Sequence, residues 1–168
     1  DIKYRVISID DNYCEEIYEK NKPLKNLIPF SINKKITEGV SIVDNEIYDD
    51  YFERKSYSLE VNNYSLHGKY NNQNVLVTYI VSKILNLEFN KFLSTIKNFK
   101  GLPHRLEYVY EDRKCLVINN SKATNIDSSI NSIEIYENIF LILGGKIKNS
   151  DFSIFNNVKK RIKKCFII

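Results

Sequence analysis

Apolar and polar residues alternate in short runs over the first sixty residues and then recur at helical spacing. Tyr4 to Ile9 reads as a strand closed by Asp10-Asp11-Asn12, and Leu27 to Phe30 as a second short extended piece. Val40 to Val43 and Glu46 to Tyr48 flank Asp44-Asn45, a two-residue turn that predicts a hairpin, and Ser58 to Val61 predicts another strand. Val75, Leu76, Tyr79, Ile80, Ile84 and Leu87 then return every three or four positions, which predicts a helix over 70–86. Phe89, Phe92, Leu93, Ile96 and Phe99 predict a second helix over 89–98.

Gly101-Leu102-Pro103 punctuates the chain and marks a domain boundary, dividing residues 1–99 from 100–168. Beyond it, Arg105 to Glu111 and Cys115 to Asn119 read as strands joined at Asp112-Arg113-Lys114. Ile126, Ile130, Ile133 and Ile135 mark a helix, Ile139 to Leu143 is an apolar strand, Asp151 to Lys163 predicts a helix, and Cys165 to Ile168 opens another strand. Strands alternating with helices predict an α/β fold with a parallel, Rossmann-like sheet in this second part.

Composition narrows the class. Of 168 residues, 43% are hydrophobic and 27% charged, which excludes disorder, while five Gly and three Pro exclude a low-complexity chain. No apolar run approaches the roughly 18 residues that span a bilayer, so no membrane insertion is expected. The net charge of +4 is mild, and the densest basic cluster, Lys159 to Lys164, shares a stretch with Val158, Ile162 and Phe166 at four-residue spacing. It reads as a solvated helix face, and no nucleic-acid partner is expected. Cys115 and Cys165 adjoin apolar runs and are expected to be buried thiols; no cysteine or histidine cluster predicts a metal site, and a reducing cytoplasm fits best. The chain begins at Asp1 and stops inside an apolar run, so a piece of a longer protein is expected.

Four segments carry candidate chemistry. Asn119 to Asn125 (NNSKATN) follows a strand and opens a helix, offering backbone donors, Lys122 and two hydroxyls to an anion. Gly144 to Asp151 follows the next strand, and there Lys148 can project a charge over the sheet edge. Gly101 to Glu107 (GLPHRLE) places His104 and Arg105 after a rigid Gly/Pro hinge, and Arg suits bidentate phosphate binding. Gly68 to Asn74 (GKYNNQN) sets Asn71 and Asn74 on one helix face, able either to read an adenine edge or simply to cap the helix. No phosphate loop of the G-x-x-x-x-G-K-[ST] type is present.

Together, GKYNNQN, FKGLPHRLE, INNSKATN and LILGGKIKNSDF resemble the Mur ligases, most closely the branch that adds D-glutamate. The match is strong over residues 66–152 and loose over 1–62. The resemblance implies that 1–99 is the C-terminal part of a central ATP-binding domain and 100–168 most of a Rossmann-like C-terminal ligase domain. It implies ATP and magnesium as cofactors, with the metal ligands and phosphate loop upstream of this chain. UDP-N-acetylmuramoyl-L-alanine and D-glutamate would be the substrates of a monomeric bacterial cytoplasmic enzyme of peptidoglycan synthesis. By the same resemblance Tyr70, Asn71 and Asn74 would meet the adenine, His104, Arg105 and Lys122 the phosphates, Asn120 the ribose, and Thr124 with Lys148 the D-glutamate carboxylates. Two positions depart from the family: Tyr70 replaces a His, and Asn120 replaces an Asp, which costs charge-assisted hydrogen bonding. A folylpolyglutamate-synthase-type ligase, another Mur ligase, or a non-catalytic nucleotide- or anion-binding domain are the alternatives.

Overall fold

The alternating positions of the first sixty residues build one five-stranded sheet in the computed structural model, which describes residues 3–22, 24–60, 63, 66, 68–145 and 151–168. The chain divides into two compact units, Asp1–Asn63 with Lys69–Asn98, and Tyr64–Gly68 with Phe99–Ile168. In the first unit β1 (Arg5–Ser8), β2 (Leu27–Ser31), β3 (Val40–Val43), β4 (Glu46–Asp49) and β5 (Lys55–Ser58) lie in sequence order across the sheet. The first two pairings are parallel and the last two antiparallel.

A helix that the sequence pattern does not reveal, α1 (Asn12–Asn21), carries the chain from β1 back to the start of β2. Asp11 caps it, its Oδ1 accepting the Cys14 N–H at 2.9 Å, and that bond holds the Asp11 carboxyl below its ordinary pKa. Only Tyr18 of its ten residues is buried, so it leaves little apolar periodicity to read. The link from β2 to β3 needs no crossover helix, because Val40 pairs with Phe30 and β3 therefore begins beside the end of β2. Gly39 permits this close passage: a Cβ there would lie 2.7 Å from the Pro29 carbonyl oxygen. The β3–β4 hairpin turns at Asp44-Asn45, both with positive φ (51° and 60°), as a type I′ connection requires. Strand β5 ends at Ser58, earlier than the expected Ser58–Val61.

Helix α2 (Lys69–Ile84) packs its apolar face on this sheet and is followed by α3 (Phe89–Lys97). Ile28, Val40, Ile47, Leu76, Tyr79 and Ile80 are completely buried between them. Tyr79 donates its hydroxyl to Asp49 Oδ2 at 2.7 Å, and Asp49 Oδ1 accepts the N–H groups of Tyr51 (3.1 Å) and Phe52 (2.7 Å). Alongside, Lys83 pairs with Glu53 at 2.9 Å and lies 5.3 Å from the Tyr57 ring centroid, while the Tyr57 hydroxyl donates to Glu53.

These contacts set a pH dependence. Burial first, and then the Glu53 carboxylate, push Tyr57 from its ordinary 10.0 up to about 12. Tyr79 is raised by its burial and by its bond to Asp49. A folded-state pKa above the unfolded one means this stabilisation is complete below pH 10.0 and is lost as pH rises through about 12. Absorbance of tyrosinate is therefore expected to show part of the 12 tyrosines ionising late, together with unfolding of this unit. A single transition of all of them near pH 10 would refute it.

In the second unit β6 (Glu107–Glu111) and β7 (Leu116–Asn119) form an antiparallel hairpin, α4 (Ile126–Ile133) follows, and β8 (Ile139–Leu143) pairs in parallel with β9 (Ile162–Ile167). The parallel α/β character is thus carried by β8 and β9, and among the described residues β7 pairs only with β6. The expected helix over Asp151–Lys163 is instead two short 3-10 turns, Phe152–Asn157 and Lys159–Arg161. Val158, Ile162 and Phe166 share a four-residue spacing, but Ile162 begins a strand because β8 offers it a row of hydrogen-bonding partners. Ile130, Ile133 and Val158 form the core of this unit, flanked by Ile139, Leu141 and Phe155. Cys115 and Cys165 are exposed rather than buried. Cys115 lies at the hairpin turn, donating its N–H to Asp112 Oδ1 at 2.8 Å, and Cys165 lies on β9, which among the described residues borders only β8.

Candidate functional site

The β6–β7 register places Glu107 opposite Asn119. GLPHR runs into one end of this hairpin and SKATN runs out beside it, so fifteen residues of separation become a direct contact. The hairpin holds its own register through Asp112, whose Oδ1 accepts the N–H groups of Lys114 (2.7 Å) and Cys115 (2.8 Å). Those two bonds hold the Asp112 carboxyl below its ordinary pKa.

The 101–107 segment follows an unusual backbone path. Gly101, His104 and Leu106 have φ of 78°, 65° and 46°, a region that costs a non-glycine residue about 1–2 kcal/mol. Each strained residue is tied down. The His104 N–H donates to Glu107 Oε2 at 2.8 Å, and the His104 carbonyl accepts the Lys122 N–H at 2.9 Å. The Leu106 N–H donates to Asn120 Oδ1 at 3.1 Å, and the Leu106 side chain is buried. Between them the Arg105 N–H donates to the Leu102 carbonyl at 3.1 Å. Arg105 is exposed, and among the described residues its guanidinium makes no ion pair.

Asn119 closes the arrangement. Its Nδ2 lies 3.0 Å from His104 Nδ1 and 3.1 Å from Glu107 Oε2, and its Oδ1 accepts the Ser121 N–H at 3.1 Å. Beyond Thr124, which is exposed, Asn125 caps α4 by accepting the Ser128 N–H at 2.8 Å, and Asp127 adds a carboxylate to the first turn. The result is an exposed rim of one imidazole, one guanidinium and one ammonium on a pinned backbone, an arrangement suited to a polyanion.

The structure therefore brings His104, Arg105, Asn120 and Lys122 onto one pair of loops, with Thr124 two residues on. Tyr70, Asn71 and Asn74 lie on the first turns of α2 in the other unit, where Asn74 Nδ2 donates to Asn71 Oδ1 at 3.1 Å and Asn71 is buried. Lys148 lies outside the described residues. Glu107 and Asn119 escape a reading of the sequence, because their part depends on the positive φ at His104, which no residue type at 104 announces.

A cavity of about 510 Å³ in the first unit is lined by Phe52, Glu53, Tyr57, Lys83, Leu87 and Phe89. Two of the charged groups in its wall, Lys83 and Glu53, already pair with each other. Among the described residues no three His, Cys, Asp or Glu gather in a way that could hold a metal ion, and no helix is long and apolar enough to cross a membrane.

No family model matches the chain. It is 36% identical over 165 residues to the UDP-N-acetylmuramoylalanine–D-glutamate ligase of Rickettsia bellii (strain RML369-C), covering 97% of this chain and 36% of that ligase. The corresponding ligase of Rickettsia prowazekii (strain Madrid E) is 38% identical over 164 residues, covering 94% of this chain and 36% of its own length. That of Natranaerobius thermophilus is 31% identical over 166 residues, covering 98% and 36%. The chain thus spans little more than a third of the length of these curated relatives. Among solved structures, MurF from Acinetobacter baumannii superposes with a TM-score of 0.62 at 14% identity, over 90% of this chain and 33% of that one. A UDP-N-acetylmuramoylalanyl-D-glutamyl-2,6-diaminopimelate–D-alanyl-D-alanyl ligase from the same organism gives 0.60 at 11%, over 96% and 42%. At such identities the superpositions speak for the fold alone.

Proposed function

Because the chain belongs to the Mur ligase family, we propose that the full-length protein containing it adds D-glutamate to UDP-N-acetylmuramoyl-L-alanine, using ATP, in peptidoglycan precursor synthesis. The observation that carries this reading is the 36% identity with a D-glutamate ligase along 97% of the chain. In this reading residues 1–99 are the C-terminal part of the central ATP-binding domain and 100–168 most of the C-terminal ligase domain. The protein acts as a monomer in the bacterial cytoplasm.

The chemistry is a two-step acyl transfer. The substrate carboxylate takes the γ-phosphoryl group of ATP and releases ADP; the D-glutamate amine then attacks the acyl phosphate, forming the C–N bond as phosphate leaves. Most of the catalysis is positioning and neutralisation of spreading charge. His104, Arg105 and Lys122 are assigned to the phosphates, Tyr70, Asn71 and Asn74 to the adenine, Asn120 to the ribose, and Thr124 with Lys148 to the D-glutamate carboxylates. The pinned rim of His104, Arg105 and Lys122 supports the first assignment. Asn120 Oδ1 already accepts the Leu106 N–H, so its Nδ2 is the donor it can offer a ribose oxygen. Magnesium, which accompanies ATP chemistry in this family, finds no cluster of ligands among the described residues, and no step is assigned to it on this chain.

The full-length protein is expected to release ADP and phosphate only when UDP-N-acetylmuramoyl-L-alanine and D-glutamate are both present. Turnover that ignores D-glutamate, or that prefers another amino acid in a substrate screen, would move the protein to a different branch of the family.

A further inference from the structure

We propose that Glu107 and Asn119 are positioning residues that hold His104 in its left-handed backbone conformation and in the ring tautomer with the proton on Nε2. The inference rests on the functional reading above only in what the held imidazole is for: Nε2–H becomes the donor left for a nucleotide phosphate beside Arg105. Glu107 and Asn119 are neighbours because they are register partners at the open end of the β6–β7 hairpin. One carboxylate oxygen, Glu107 Oε2, accepts both the His104 N–H (2.8 Å) and the Asn119 Nδ2 group (3.1 Å), so it fixes the backbone and the amide together.

The tautomer follows from the orientation of that amide. Ser121 donates its N–H to Asn119 Oδ1, which commits the amide oxygen to that side and turns the NH2 group toward His104. An amide nitrogen donates and does not accept, so His104 Nδ1, 3.0 Å away, is the acceptor; Glu107 Oε2 also faces Nδ1 but at 3.7 Å, beyond hydrogen-bond reach. A neutral imidazole that accepts at Nδ1 carries its proton on Nε2. The His104 side chain is 61% exposed, which keeps that proton within reach of a ligand. The same clamp extends to Lys122, whose N–H donates to the His104 carbonyl.

The test uses the full-length protein labelled with ¹⁵N at histidine, the His104 resonances being assigned with His104→Gln. Two-bond proton–nitrogen correlation is expected to show His104 protonated at Nε2. Asn119→Asp keeps the size and the acceptor for Ser121 but puts a carboxylate oxygen where the donor faced both Nδ1 and Glu107 Oε2, so the ring is expected to carry a proton on Nδ1, as the other tautomer or as imidazolium. With it kcat should fall at least about tenfold while KM for D-glutamate stays within about twofold. Glu107→Gln, which keeps an acceptor oxygen, should retain near-normal kcat where Glu107→Ala does not, with both variants matching the parent in circular dichroism. An Nδ1-protonated ring in the parent, or a ring unmoved by Asn119→Asp, overturns the proposal, as does a shifted ring with unchanged kcat. If the parent shows no ligase turnover but the ring switches as described, the reading of function fails while the clamp stands.

Discussion

Arg105→Ala in the full-length ligase is expected to lower turnover at least about tenfold, with KM for ATP rising, while the folding transition stays within about 0.5 kcal/mol of the parent. The two halves of that expectation have separate causes. Arg105 is exposed, so truncation removes little packing. Its backbone is held on both sides, by the bonds at His104 and Leu106 and by its own N–H to Leu102, so the guanidinium leaves a fixed root. A guanidinium with a fixed root and no ion-pair partner among the described residues is a preformed fork for phosphate oxygens. Arg105→Lys should restore only part of the loss, because an ammonium keeps the charge but not the paired donors. Initial-rate kinetics with ADP release as the readout decides it. Near-normal rates for Arg105→Ala would remove this residue from the site.

Tyr79→Ala carries the largest expected effect on stability. The side chain is completely buried and lies edge-on to Phe92 and Phe89, with ring centroids at 5.4 and 6.3 Å. Deleting such a ring costs about 3–5 kcal/mol. Tyr79→Phe separates the hydroxyl from the ring: it leaves Asp49, 2% exposed, without its 2.7 Å donor, which costs about 1–3 kcal/mol. Urea unfolding followed by circular dichroism should rank the parent above Tyr79→Phe and Tyr79→Phe above Tyr79→Ala. Equal midpoints for parent and Tyr79→Phe would mean that the Asp49 bond contributes nothing net.

Elements whose burial is one-sided and long were the readable ones. Helix α2 announces itself because Val75, Leu76, Tyr79 and Ile80 all face one core, and the β3–β4 hairpin because Asp44 and Asn45 tolerate positive φ. Helix α1 buries only Tyr18, and its cap Asp11 reads equally well as part of a turn, so its pattern is silent. The stretch around Val158 and Ile162 misleads for the opposite reason: its spacing is helical, yet pairing with β8 wins over the local preference. In the candidate site, Arg105, Asn120 and Lys122 are legible as residue types. Their convergence depends on hairpin register, and the parts of Glu107 and Asn119 depend on a backbone angle. Neither is written in composition or periodicity.

The tethering of residues 101–107 also bears on affinity. Fixing a flexible segment costs about 1–2 kcal/mol of conformational entropy per residue. Here the ordering is complete in the folded unit, through the bonds of Glu107, Asn120 and Lys122. An arriving anion therefore meets a preorganised rim, and its binding free energy is not reduced by having to freeze the loop. Substitutions at the distant hairpin turn, such as at Asp112, thereby become affinity mutations: a loosened register returns the ordering cost to the moment of binding.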